Sequence, residues 1–307
     1  MNPAAPPVAR RENRVEPHPA APGGAVRARF DDGRWHFQHG PIDLMLGADG
    51  DPAAVDRTIE HAWTRFQGVL AELVSEFELL RMPVQDAHPV KGPVARRMVQ
   101  ACWPHRERFI TPMAAVAGAV ADELIAFFRA DERIRRACIN NGGDIALHLT
   151  PGESYRVGLY ADLGRIERRG RHRLDGDFEV RSDLPVRGVA TSGWRGRSFS
   201  LGIADSVTVL ARNAAEADAA ATMVANSVNI EDPAILRRPA CDLKDDTDLG
   251  GRLVTVSVGT LSADRVGEAL DAGASAAREL MQRGEIFGAG LWLQGQVRSV
   301  GCEDGVI

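Results

Sequence analysis

The predicted strands and helices of this chain come in clusters along the sequence and do not alternate. Three strand-like segments precede the first long helix, a run of short strands fills the middle, and helices and a hairpin close the chain. Strict strand–helix alternation would predict a doubly wound parallel sheet, whereas clustered elements favour a sheet with helices layered on it. We therefore predict an α+β fold with a mixed or antiparallel sheet layered with helices.

The first cluster is built around the turn Asp31-Asp32-Gly33, which separates two predicted strands. Its glycine tolerates the positive φ of a tight hairpin turn. Asp51 then precedes Pro52, a pair typical of a helix start because the missing N–H of proline has no cost there. Apolar residues follow at three- and four-residue spacing, which predicts that one face of this helix is buried.

Later segments carry their own start and stop signals. The proline-rich stretch Met82–Pro104 is predicted to be mostly loop with one short helical turn, and Thr111-Pro112 is predicted to open a second helix. A short helix is predicted near Asp131–Arg136. Asn213, with Glu216 three residues later, is the asparagine version of a capping box and predicts the start of another helix.

The composition limits the classes of protein and partner. The chain has 307 residues, 44% of them hydrophobic and 26% charged, which is enough for a sizeable core. Its net charge of −5 argues against a general nucleic-acid or membrane-surface binder, because both of those partners are polyanionic. The four cysteines form no Cys-x-x-Cys pair, so a zinc knuckle or a redox pair has little support.

Residues 1–24 form a proline- and alanine-rich opening that lacks the apolar core of a signal peptide. We predict a disordered tail there, followed by a single domain over residues 25–307. No apolar run reaches the roughly 20 residues that span a bilayer. These features predict a cytoplasmic protein that does not insert into a membrane. The basic run Arg165–Arg173 is predicted to be a solvated loop.

A glycine-rich turn between two predicted strands is the first candidate for a ligand site. It consists of Asn140, Asn141, Gly142, Gly143 and Asp144. Consecutive glycines let the backbone turn sharply and present bare N–H groups to an oxygen-rich ligand. A plain hairpin turn would explain the same residues.

The second candidate is the strand end that contains Thr191, Ser192 and Gly193. Two hydroxyls beside a glycine can donate hydrogen bonds to phosphate or carboxylate oxygens. Arg195 and Arg197 follow and add positive charge, which suits an anionic ligand. A solvent-exposed turn is the alternative explanation of this stretch.

The third candidate lies on the helix that Asn213 is predicted to start. Asp218 and Thr222 are four residues apart, so their side chains project from one helix face. A carboxylate and a hydroxyl at that separation can share a hard cation such as Mg²⁺, with ligand phosphates completing its coordination shell. The alternative is a capped, alanine-rich helix that serves packing alone.

The order of these motifs resembles that of the ApbE-like superfamily over roughly Ala137–Val228. Its best-known members are FAD:protein FMN transferases, which bind FAD and Mg²⁺ and transfer FMN to a protein threonine. The resemblance implies an ApbE-like fold, FAD or a related flavin as ligand, and Mg²⁺ held by Asp218 and Thr222. It also implies that Asn140–Asp144 and Ala190–Gly193 bind the cofactor.

One stretch departs from the transferase pattern His-x-x-Asp-Pro-x-Thr-Gly. Ser198–Asp205 contains neither histidine nor proline, and Asp205 is the candidate catalytic group, with a strand-start cap as the alternative. Pro112–Gly118 resembles a poorly characterised branch of the superfamily. Three functions stay open: a Mg²⁺-dependent transferase of FMN or a nucleotide, a binding protein that lost transfer chemistry, and an enzyme of sulfur assimilation. The expected partner is a small nucleotide-like molecule, and a homo-oligomer is left open.

Overall fold

The computed structural model describes residues 23–159 and 176–301. Residues 1–22 of the expected tail and the basic run Arg165–Arg173 lie outside the described residues, so both stay predictions. No helix within the two described ranges is long and apolar enough to cross a membrane.

The strands of the described residues are numbered in chain order. They are β1 Val26–Arg29, β2 Trp35–His39, β3 Ile42–Gly50, β4 Ile134–Asn141, β5 Asp144–Leu149, β6 Ser154–Leu159, β7 Gly176–Arg181, β8 Gly188–Ser192, β9 Ser206–Ala211, β10 Ile235–Pro239, β11 Leu253–Val258, β12 Gly288–Leu293 and β13 Gln296–Val300. Nine of them form one sheet in the order β1-β2-β3-β4-β5-β8-β9-β12-β13. Every neighbouring pair in it is antiparallel, which confirms the α+β prediction.

The helices of the described residues are numbered in the same way. They are α1 Pro52–Ser75, α2 Phe77–Leu80, α3 Pro93–Cys102, α4 Val116–Arg129, α5 Ala214–Ser227 and α6 Ala263–Gln282. A short 3₁₀ turn at Pro112–Ala115 leads into α4. Helices α1, α4, α5 and α6 pack on the large sheet and on one another, with α3 against α4 and α5, so they cover one of its faces. The ribbon of β6 and β7 packs apolar residues against the opposite face.

Local signals placed several of these elements correctly. Gly33 has φ +87 in the turn between β1 and β2. The Asp51 side chain accepts a hydrogen bond from the Ala54 N–H at 2.9 Å and caps α1. The Asn213 side chain accepts one from the Glu216 N–H, also at 2.9 Å, and caps α5. These turn and cap predictions are confirmed.

The prediction of a loop over Met82–Pro104 is wrong in its second half, where α3 occupies ten residues. Pro93 is the first helical residue, where its missing N–H is harmless. Five residues of α3 are then buried at helical spacing: Val94, Ala95, Met98, Ala101 and Cys102. Proline content alone therefore misled the assignment, because proline at a helix start favours the helix.

The short helix predicted at Asp131–Arg136 is also wrong. The Asp131 side chain accepts a hydrogen bond from the Arg133 N–H at 3.1 Å, which makes a turn, and β4 begins at Ile134. An aspartate that bonds the backbone two residues on competes with helix formation. Two strands had no counterpart in the sequence assignment, namely β7 and β10.

Helices α4 and α5 approach each other very closely at Gly118. A Cβ on this glycine would lie 2.2 Å from the carbonyl oxygen of Ala214, so no side chain fits there. The small residues of α4 therefore allow the backbone of α5 to approach closely. The contact sets the position of the first turn of α4 over the first turns of α5.

Candidate functional site

The glycine-rich turn and the Thr191–Gly193 stretch lie at the same end of the sheet. Strand β8 runs antiparallel to β5, with Ile145 opposite Val189, so the last residue of β8 lies near the first residue of β5. The β4–β5 turn stands at that same end because it directly precedes Asp144. The fold thus brings the first two candidate motifs together.

The turn between β4 and β5 is held by side-chain bonds. Gly142 and Gly143 have φ values of +67 and +116, which favour glycine. The Gly143 N–H donates to the Asn140 side-chain oxygen at 2.8 Å, and Asn141 Nδ2 donates to the carbonyl oxygen of Ala117 at 3.0 Å. The second bond ties the turn to the first turn of α4.

Asp144 connects the glycine-rich turn to β8. Its Oδ1 accepts a hydrogen bond from the Thr191 N–H at 3.3 Å. Burial raises the pKa of this carboxyl to about 7, and the Thr191 bond only partly offsets that shift. Asp144 is therefore a buried acid whose charged form lacks enough compensating donors.

Asp218, on α5, brings the third motif to the same place. Its Oδ2 accepts a hydrogen bond from the Gly118 N–H at 3.0 Å, in the first turn of α4. Burial raises the pKa of Asp218 well above its ordinary value, and the nearby Asp144 raises it further. Two carboxyl groups from separate elements thus interact at the N-terminal end of a helix.

The two hydroxyls of the second motif point to opposite faces of the sheet. Thr191 Oγ1 lies 2.9 Å from Thr208 Oγ1, on the face where Val189 and Leu210 pack. Side chains alternate along a strand, so Ser192 faces the helices together with Ala190. Of the two hydroxyls, Ser192 is the one on the Asp218 side, and Thr191 contributes its backbone N–H.

Thr222 lies one helical turn after Asp218 on a partly exposed polar stripe of α5. The stripe continues to Asn226, whose side-chain oxygen accepts a hydrogen bond from the Leu201 N–H at 2.9 Å. Asn226 thereby holds the chain between β8 and β9 against α5. The assignment of Thr222 as a metal ligand stays a prediction.

Asp205 is buried beside this end of the sheet and is already hydrogen-bonded. Its Oδ1 accepts from the Trp194 indole N–H at 3.3 Å and lies 3.3 Å from Arg195 Nε, while Oδ2 accepts from the Gln294 N–H at 2.6 Å. Gly193 packs against the backbone here, since a Cβ on it would lie 2.6 Å from Asp205 O. The catalytic assignment of Asp205 stays a prediction, and these contacts favour a structural role.

The sequence assignment missed Asp122. This buried carboxylate accepts hydrogen bonds from Ala214 N–H at 3.1 Å and Ala215 N–H at 2.8 Å, at the start of α5. Burial raises its pKa to about 6, and the two backbone bonds oppose the shift. An acidic residue within the apolar face of a helix was the available signal. Cys102 is a second neighbour of the site that the sequence analysis did not select. Burial raises the pKa of its thiol, and the nearby Asp218 raises it further.

The donor set at this place is made of hard oxygens. Asp144 and Asp218 supply carboxylates; Asn141, which is bonded to Ala117, and Thr222, one helical turn after Asp218, add neutral oxygens. Mg²⁺ prefers such ligands and keeps several waters or ligand oxygens, so the residues fit this ion. Over the described ranges no three His, Cys, Asp or Glu side chains gather around one point, which leaves a cation dependent on water or ligand oxygens.

A cavity of about 250 Å³ beside His105 and Arg283 is lined by none of these residues.

Comparison with known proteins shows the family to which the chain belongs. The family model described as AbpE bacteria matches residues 27–299. A UPF0280 protein of Methanosarcina acetivorans is 34% identical over 206 residues, which cover 65% of this chain and 74% of the relative. A UPF0280 protein of Methanospirillum hungatei is 36% identical over 53% of this chain and 67% of the relative. One of Methanothermobacter thermautotrophicus is 39% identical over 55% of this chain and 62% of the relative.

Two solved structures are more distant. The apo form of the flavinyl transferase ApbE of Pseudomonas stutzeri is 12% identical, with a TM-score of 0.41 over 95% of this chain and 96% of its own. The ApbE protein of Thermotoga maritima is 11% identical, with a TM-score of 0.36 over 94% and 96%. Because the family model spans almost all of the sequence, the chain belongs to the AbpE bacteria family and, with it, to the ApbE-like superfamily.

Proposed function

We propose that this protein binds a flavin nucleotide, or another diphosphate-bearing small molecule, together with Mg²⁺. The observation that carries the proposal is the interaction of two carboxyl groups, the buried Asp144 and the partly buried Asp218, at the start of α4. Two like charges with few donors are costly in a low-dielectric site, and a divalent cation relieves that cost. The motif order and the family membership supply the flavin nucleotide as the ligand class.

The residues around the carboxylates have defined parts in this proposal. Asp144 and Asp218 hold the cation, with Thr222 one helical turn further along α5. Ser192 faces the helices and donates its hydroxyl to a ligand oxygen. When bound, Mg²⁺ neutralises phosphate oxygens and makes a phosphorus atom easier to attack. The transferase activity, with Asp205 as its catalytic group, is the finer part of the proposal.

A binding protein without transfer chemistry is the second candidate, and a specific observation favours it. The Ser198–Asp205 stretch contains no histidine, and the Asp205 carboxylate already accepts bonds from Trp194 and Gln294. An acid so engaged is poorly placed to accept a proton from a substrate. Sulfur assimilation rests on the resemblance alone. A cytoplasmic location, a homo-oligomer and a partner that is neither nucleic acid nor membrane stay predictions.

One experiment separates these candidates. Purified protein is incubated with FAD in the presence of Mg²⁺ or of a chelator, and the mixture is analysed for bound FAD and for released FMN and AMP. Mg²⁺-dependent cleavage of FAD to AMP and FMN, with water in place of the acceptor hydroxyl, supports the transferase. Mg²⁺-dependent binding without cleavage supports the binding protein. Absence of FAD binding under both conditions contradicts the flavin proposal.

A further inference from the structure

Arg197 lies across the glycine-rich turn at the end of the sheet. A Cβ on Gly142 would be 3.7 Å from Cζ, 3.7 Å from Nη1 and 3.9 Å from Nη2 of this guanidinium. Because the three atoms are almost equally distant, the plane of the group faces the turn. A side chain at position 142 would occupy the space beside the guanidinium, and glycine leaves that space open.

The two arginines of this loop differ in their partners. Arg195 lies 3.3 Å from Asp205 and 4.8 Å from the centre of the Trp194 ring, so its charge is already balanced. Arg197 is exposed, and within the described ranges its side chain makes neither a hydrogen bond nor an ion pair. Its positive charge is therefore available to a ligand.

The base of the loop is fixed although its tip is exposed. The Trp194 N–H donates to the Ala204 carbonyl at 3.0 Å, and the Gly196 N–H donates to the Gly193 carbonyl at 3.1 Å. The Trp194 indole N–H donates to Asp205 at 3.3 Å. These bonds fix the backbone at the base of the loop that carries Arg197. The position from which its side chain extends towards the turn is therefore defined.

We propose that Arg197 and the Gly142–Gly143 turn recognise the phosphate groups of the ligand. The N–H donors of a guanidinium lie in its plane, so a phosphate would bind at the edge of the group, beside the turn, through two parallel N–H bonds, which makes this contact strong and directional. Asp144 directly follows the turn, so a phosphate bound by Arg197 lies beside the proposed cation site. This inference rests on the proposed function for the identity of the ligand, but not for the chemistry of the anion.

The test uses two probes, inorganic pyrophosphate and FAD, titrated calorimetrically with Mg²⁺ into the full chain. Arg197→Ala should bind pyrophosphate about tenfold more weakly or worse, because a charge-assisted contact is lost. Arg197→Lys keeps the charge but loses the planar fork, so its affinity should fall between the two. Arg135→Ala removes the same charge from the second residue of β4, at the opposite end of the sheet, and should bind like the wild type.

Circular dichroism of each variant should show that the fold is kept, as expected for exposed positions. Equal pyrophosphate affinity in the wild type and Arg197→Ala overturns the assignment of Arg197, whatever FAD does. Arg197-dependent binding of pyrophosphate without binding of FAD supports the assignment and removes the flavin ligand. Failure of the wild type to bind either probe overturns both.

Discussion

The Asp218 carboxylate accepts a hydrogen bond from the Gly118 N–H at 3.0 Å, so a residue of α5 caps the first turn of α4. The first residues of a helix have N–H groups without partners inside the helix, and a nearby negative charge also interacts favourably with the helix dipole. In return, Asp122 of α4 accepts bonds from two N–H groups at the start of α5. Each helix therefore carries the acid that caps the other.

This mutual capping depends on the close approach at Gly118. Gly118→Ala should lower the free energy of unfolding by about 2–3 kcal/mol, because its Cβ would meet the Ala214 carbonyl at 2.2 Å and push the helices apart. Gly68→Ala on α1 is the matched control, since the nearest atom to its Cβ would be 3.9 Å away. The control should be neutral or stabilising by up to about 1 kcal/mol. Urea denaturation of both variants measures the difference, and equal stabilities would contradict the packing argument.

Loss of the Asp122 cap should also be costly. Asp122→Ala leaves two buried N–H groups of α5, those of Ala214 and Ala215, without their acceptors. We expect a loss of about 1–3 kcal/mol of unfolding free energy, and a smaller loss for Asp122→Asn, which keeps one acceptor oxygen. Denaturant titration checks both values. A full-sized loss in the asparagine variant would show that the charge, and not the acceptor, matters.

The raised carboxyl pKa values predict how stability changes with pH when no divalent cation is present. Burial raises the pKa of Asp144 to about 7, so the folded state holds this proton more tightly than the unfolded state. The stabilising contribution of the proton is full below the unfolded pKa and is lost as pH rises through the folded one. Melting temperature in a chelator should therefore fall from about pH 4 to about pH 7, with a cost on the order of 4 kcal/mol for this residue.

Asp144→Asn should flatten that fall without abolishing it, because the pKa values of Asp122 and Asp218 are raised as well. Asp271→Asn, which removes an exposed carboxylate that pairs with Arg298, is the control and should keep the wild-type slope. Scanning calorimetry over the pH range gives the slopes. Parallel curves for the wild type and Asp144→Asn would mean that Asp144 stays charged in the folded protein.

Features whose partners lie within a few residues could be predicted from the sequence, and features that depend on the packing of distant segments could not. The turn at Gly142–Gly143 and the cap at Asn213 were predicted because their partners lie within a few residues. Neighbouring side chains of a strand point to opposite faces, but no local pattern fixes that Ser192, and not Thr191, faces the helices, because this depends on how β8 lies in the sheet. Asp122 was missed for the same reason, since its partners are Ala214 and Ala215 in another helix.

The same difference between local and long-range features explains which residues of the candidate site were predicted from the sequence. The glycine-rich turn and Asp218 were chosen from their residue types and spacing and then from the motif order, and the fold brings them together through Asp144. Arg197 was noted only as added charge, because its approach to Gly142 depends on a loop held by Trp194 and Asp205. A sequence pattern therefore finds the residues that repeat a family motif and overlooks those placed by the surrounding loop.

Variants of Asp205 can distinguish a role in positioning the Arg197 loop from a catalytic role. Asp205→Ala removes the acceptor of the Gln294 N–H and of the Trp194 indole, so it should cost about 1–3 kcal/mol of stability. If Asp205 holds the Arg197 loop, the variant should also weaken pyrophosphate binding, and Asp205→Asn should restore part of both losses. Calorimetric titration and denaturation measure the two effects. Unchanged pyrophosphate affinity together with lost FMN release would favour a catalytic Asp205.

The last prediction separates the cap role of Asp218 from its cation role. Asp218→Asn keeps an oxygen that accepts from the Gly118 N–H, so the fold should persist, but it removes the charge that a cation requires. Excess Mg²⁺ should raise the melting temperature of the wild type near neutral pH, because an ion that binds only the folded state stabilises it. That rise should vanish in Asp218→Asn and shrink in Thr222→Val, whereas Asp271→Asn should keep it. Asp218→Ala should lose both the rise and part of the basal stability. An undiminished Mg²⁺ effect in Asp218→Asn would leave Asp218 as a helix cap alone and remove the proposed metal site.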